Sequence, residues 1–106
     1  MRRDKNKKYG SITPTQKELM EAIDRNDLEE VKRIVGEGCN PNFETEDGIA
    51  HSPIYLAILK GNLDMVLWLI DEGGVNINEK TLHWALVVVG NPSISRVISD
   101  ILEKKK

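Results

Sequence analysis

The chain has a single cysteine, Cys39, two histidines, and aromatic residues at only 5% of its 106 positions. One cysteine excludes an internal disulfide. The shortage of aromatic rings predicts a core of Leu, Ile, Val and Ala in thin helical layers instead of one built around a few large side chains. No apolar run approaches the ~20 residues of a membrane span, and the basic start does not lead into the apolar core of a signal peptide. A nucleophile elbow, a phosphate-binding glycine loop and a paired metal-ligand spacing are all missing, and two His with one Cys leave little material for catalysis. The expectation is a soluble protein of a reducing compartment, neither an enzyme nor a metalloprotein, with no cofactor and no segment for a membrane.

Charge is unevenly placed. Residues 1–8 carry five bases and one acid, and Lys104, Lys105 and Lys106 add three more bases, which leaves residues 9–103 at a formal −9 against a whole-chain −2. An acidic body repels a phosphate backbone, so nucleic acid is not expected as a partner. The basic ends read as solvated tails, with a localisation signal or electrostatic arm as the alternative. The expected location is therefore the cytoplasm, or a host cytosol for a pathogen factor, with the nucleus open through the basic N-terminus.

What the sequence does contain is a repeat. Residues 19–42 and 55–78 share one pattern: Ala22, Leu28, Val31, Val35 and Gly38 recur 35 positions later as Ala57, Leu63, Val66, Ile70 and Gly73. A period near ~33 residues is the mark of a helical solenoid, in which each helix pair buries its apolar face only by stacking on a neighbour. Thr13-Pro14-Thr15-Gln16 is a helix start with a hydroxyl cap, proline at the first position and Gln at the third. Arg25-Asn26-Asp27 breaks the first helix and caps a second with the stripe Leu28, Val31, Ile34 and Val35. Ser52-Pro53 opens the next pair, Gly61-Asn62 turns it, and Gly73-Gly74 ends it. A third, shorter unit runs through Leu82-His83-Trp84-Ala85-Leu86, turns at Gly90-Asn91-Pro92, and closes with Ile94, Val97, Ile98, Ile101 and Leu102. Ala85 follows Asn78 by seven residues whereas Ala57 follows Asn42 by fifteen, so the third projecting turn is cut to little more than a connection.

Ser52-Pro53-Ile54-Tyr55-Leu56-Ala57 resembles the T-P-L-H-x-A motif of ankyrin repeats, with Asp47-Gly48 similar to the preceding turn and residues 74–78 similar to the G-A-D-V-N ending. Residues 38–42 resemble that same ending in the first unit, and residues 82–85 keep L-H-x-A in the third. The resemblance implies an all-α fold: a short ankyrin-type solenoid of about three repeats with projecting turns. Units fall near 13–45, 46–78 and 79–102, between a flexible basic segment, 1–12, and a basic tail, 103–106. Ile49-Ala50-His51 makes the second turn two residues longer than the family pattern. His83 stands where the family places a histidine that ties turn to helix, Cys39 reads as a small packing residue, and Trp68 is expected between layers. Asn42 and Asn78 hold the family position that can be hydroxylated.

The resemblance further implies a non-catalytic module that binds another protein, as adaptor or inhibitor, through a concave surface made of inner helices and projecting turns. By position in the motif the candidate residues are Asp24 and Arg25, Leu59 and Lys60, and Val87 and Val88 near the ends of the three inner helices. Phe43, Glu44, Ile49 and His51 are the candidates on the long turn, and for Phe43, Ile49 and Leu59 core packing is an equal reading. The Trp84-to-Val89 run is apolar on many sides, so a cover is expected there: the last helix, a partner or second copy, or further repeats. A monomer is expected, with a weak homodimer through the third unit, or a piece of a longer array, as the alternative.

Overall fold

Among the described residues, six helices form where the sequence supplies caps and apolar stripes. A computed structural model describes residues 12–45 and 52–104. Helix α1 spans Pro14–Asp24, α2 Leu28–Gly36, α3 Pro53–Lys60, α4 Leu63–Asp71, α5 Glu79–His83, and α6 Pro92–Lys104. Helix α5 continues without a break into a π-helical segment, Trp84–Val89. Among the described residues there is no strand, and no helix is long and apolar enough to cross a membrane. The basic head, Lys105, Lys106 and the middle of the long turn, including Ile49 and His51, lie outside the described residues.

Each start has a local cause. Thr13 accepts from Gln16 N–H at 3.1 Å while Gln16 Oε1 accepts from Thr13 N–H at 3.0 Å, a reciprocal box that satisfies two otherwise orphaned donors. Asp27, Ser52, Asn62 and Asn91 do the same one-sidedly for α2, α3, α4 and α6, each accepting from the N–H three residues on. Gly61 ends α3 at φ 72°, a left-handed conformation that glycine adopts without the cost a side chain brings.

The helices pair as α1 with α2, α3 with α4, and α5 with α6, and the pairs stack so that α1, α3 and the α5–π helix form an inner row. Between them lies one core: Leu19, Met20, Ala22 and Ile23 from α1, Val31 and Ile34 from α2, Ile54, Leu56, Ala57 and Ile58 from α3, Met65, Val66 and Leu69 from α4, Ala85 from the π segment, and Ile94 and Ile98 from α6. Aliphatic residues supply nearly all of it. Trp68 on α4 and Trp84 are half-buried against its margin.

Two polar joints lock the stack. Asn42 donates from Nδ2 to Gly74 O at 2.9 Å and accepts at Oδ1 from Asn76 N–H at 3.0 Å, stitching the first turn to the second. Trp84 donates from Nε1 to Tyr55 O at 2.9 Å, and its ring lies 5.1 Å from that of Tyr55. The second joint fixes the third pair to the second by both apolar contact and a directed bond.

The third unit departs from the motif at its start. Helix α5 is capped by Asn78, two positions before Lys80, the residue matching Ser52; Asn78 and Thr81 form a reciprocal cap with both bonds at 3.1 Å. His83 therefore falls beyond the first turn and stands exposed, and the hydrogen bonds expected of it are made by Asn78 and Thr81 instead. The physical reason is chemical: Lys80 has no capping oxygen where Ser52 has its hydroxyl, and Thr81 stands where Pro53 supplies proline, while Asn78 caps well and Thr81 completes its box.

Candidate functional site

The inner helices end in side chains that the core does not need. Leu59 on α3 is 42% exposed, and on the π segment Leu86, Val87 and Val88 are 56%, 62% and 57% exposed. These are the exposed large hydrophobic residues of the described chain, and every one lies on the inner row; α2, α4 and α6 contribute none. On α3 the cause is simple, because Leu59 and Lys60 occupy the last turn, past the stripe Ile54, Leu56, Ala57 and Ile58 that faces the core. On the third inner helix the π segment buries only Ala85. It ends at Gly90, φ 72°, where the Ala85 carbonyl accepts from both Gly90 and Asn91 N–H.

Charged groups frame this apolar set. Lys60 Nζ lies 3.5 Å from Asp24 Oδ1, joining the tips of α3 and α1, and Arg25 reaches Asp27 at 3.9 Å. Both pairs are partly solvated and contribute little to stability, at most about 1 kcal/mol each. They hold a fixed pattern of charge next to Leu59. The tips of α1 and α3 thus carry Asp24, Arg25, Leu59 and Lys60 together, with Val87 and Val88 at the tip of the neighbouring helix.

Phe43 and Glu44 are not part of that cluster. They precede α3, beside Ser52 and Tyr55, and line a hollow of about 420 Å³ with Asn78 and Thr81. Lys60 is at the opposite end of the same helix, about 12 Å away along an axis rising 1.5 Å per residue. The candidate residues therefore divide into a group at the helix tips and a group at the turns. Phe43 is half-buried against the core and Glu44 is exposed.

Burial pushes the Tyr55 phenol above its usual range, helped by the nearby Glu44 charge and opposed by a hydrogen bond with Thr81. Burial also raises the Cys39 thiol, which disfavours the reactive thiolate. On α2, Arg33 bonds Glu30 and Glu37 at once; the Glu30 carboxyl is held below its ordinary value by that hydrogen bond, and the guanidinium is raised correspondingly. Among the described residues no group of three His, Cys, Asp or Glu side chains could hold a metal ion. The arrangement at the tips is one of apolar area with flanking charge.

Sequence reasoning passed over Leu86 and the Tyr55–Trp84 joint. Leu86 was visible only as one member of an apolar run, and the joint depends on two residues 29 positions apart meeting in space. Compared with known proteins, the chain finds no match among curated sequences. The family model for ankyrin repeats (3 copies) matches it over residues 19–103.

Proposed function

Because the chain belongs to the ankyrin-repeat family, we propose that it binds another protein through the tips of its inner helices, acting as an adaptor or as an inhibitor that covers its partner's surface. Ankyrin repeats generally mediate protein–protein interaction. The observation that carries the finer reading is the segregation of exposed apolar area: Leu59, Val87 and Val88 stand on the inner row while the outer helices expose no large hydrophobic residue. Apolar side chains at adjacent tips, rimmed by Asp24, Arg25 and Lys60, have the composition of an interface centre with a charged rim. Phe43 and Glu44 belong to a separate contact at the turns, available to a partner long enough to reach both ends of α3.

A tagged pull-down from cell lysate, comparing wild type with a Leu59→Glu/Lys60→Glu variant of equal helicity, tests this. The expected result is loss of a captured protein by at least about tenfold, the scale of a residue worth more than about 1.4 kcal/mol. Capture of the same protein at wild-type level by the folded variant would remove the helix tips from the site.

A further inference from the structure

We propose that the outer face of the α5–π helix is a self-association surface, on which a second copy of this chain docks to give a twofold-symmetric dimer. Helix α3 has inner-row neighbours on both sides, α1 on one and the π segment on the other. The α5–π helix packs on α3 and α6, and its remaining side is a shallow groove of about 440 Å³ formed by Glu79, Lys80, Leu82, His83, Leu86 and Val87. The matched positions make the difference concrete: Ile58 is wholly buried, whereas Leu86, its counterpart in the third unit, is exposed. The open side has the shape and apolar character that accept a helix within the stack.

The other end of the stack decides which helix. Apart from Pro14, every exposed or half-buried residue of α1 is polar: Thr15, Gln16, Lys17, Glu18, Glu21 and Asp24. A copy docking head-to-tail would press Leu86 and Val87 against that polar surface, whereas a copy docking face to face puts apolar on apolar. The favourable contact is therefore isologous, and such a contact closes at two chains and forms no filament. Charge agrees. Residues 9–103 carry a formal −9, so copies repel one another in general, but the groove holds one acid and one base, Glu79 and Lys80, and brings no net like charge together.

The groove shares Val87 with the helix-tip reading, whereas Leu86 lines the groove and is outside the residues assigned there. Sedimentation equilibrium of the full chain from 5 µM to 1 mM tests it. Average mass is expected to rise from 12.0 kDa toward twice that value, with half-association on the order of 100 µM for a contact of this small class. Leu86→Glu should weaken association more than tenfold without loss of helicity, and Leu59→Glu should leave it unchanged. Lys80→Glu, at an exposed groove position outside the tips, supplies the same test should Leu86→Glu fold poorly. A wild-type mass that stays at 12.0 kDa at 1 mM, growth beyond two chains, or dissociation by Leu59→Glu alone would each overturn the proposal. So would a monomeric wild type whose capture of a different protein is abolished by Leu86→Glu, because the face would then belong to that protein.

Discussion

Helix α3 and the α5–π helix carry matched stretches, Ile54 to Leu59 and Leu82 to Val87, yet they end in different states. The middle helix buries Pro53, Ile54, Leu56, Ala57 and Ile58 and winds as a regular α-helix. The last buries Thr81 and Ala85 and winds as a π-helix over its second half. An apolar pattern therefore states what a helix is able to bury, and the number of neighbours states what it does bury. In a solenoid that number falls at the ends, and an end that keeps its apolar residues retains unspent binding area.

The sharpest way to break this comparison is to truncate the matched pair. Ile58→Ala empties a wholly enclosed site and should cost about 3 kcal/mol, while Leu86→Ala, measured below the concentration at which chains associate, should change stability by less than about 0.5 kcal/mol. Urea unfolding reads both as midpoint shifts at unchanged slope. Equal losses at the two positions would mean that Leu86 is packed and that the third unit is closed.

A smaller effect is expected at the joint between the two units. Trp84→Phe keeps a ring next to Tyr55 but removes the Nε1 donor, leaving the Tyr55 carbonyl without that bond; the loss should be about 1 to 2 kcal/mol. Amide exchange sharpens the result. The π segment and α6 should exchange faster in the variant while α1 and α2 keep their protection, because the joint holds the third pair alone. Uniform loss of protection across all six helices would instead make the stack a single cooperative unit.

Much of the fold was legible because its signals are local. Thr13 with Gln16, Ser52 with Pro53, Gly61, and Gly90-Asn91-Pro92 are read within four residues, and each caps or ends a helix as its chemistry requires. The start of α5 was not legible, because the third unit keeps only L-H-x-A of the motif, and the capping chemistry of Asn78 with Thr81 sets the start instead. The π winding of Trp84–Val89 has no local mark, since Ala, Leu and Val fit either helix and the choice falls to packing. At the candidate site, the exposure of Leu59, Val87 and Val88 follows from their place at helix ends. The separation of Phe43 and Glu44 from them follows as well, because the turn that carries them precedes α3 whereas Leu59 and Lys60 end it.

The smallest effect concerns the phenol of Tyr55, where the two units also meet, and it is visible chiefly as a pH dependence. Burial, with the Glu44 charge behind it, raises this group above its ordinary value near 10. The folded chain then holds the phenolic proton more tightly than the unfolded chain does. By linkage, the associated stability is fully present below about pH 10 and is lost as pH climbs through the raised value. Tyr55→Phe removes both the hydroxyl contact with Thr81 and this titration. The variant should lose about 0.5 to 1.5 kcal/mol at pH 7, and that deficit should shrink as pH rises above about 10, because the wild type weakens and the variant lacks this part of the decline. Cys39, whose thiol is raised in the same direction, is common to both chains, so their difference isolates Tyr55. Unfolding free energies measured in parallel from pH 7 to 11 check it. A constant difference across that range would mean that the phenol is as free in the folded chain as in the unfolded one, and that Trp84 holds the joint through its ring and its Nε1 bond alone.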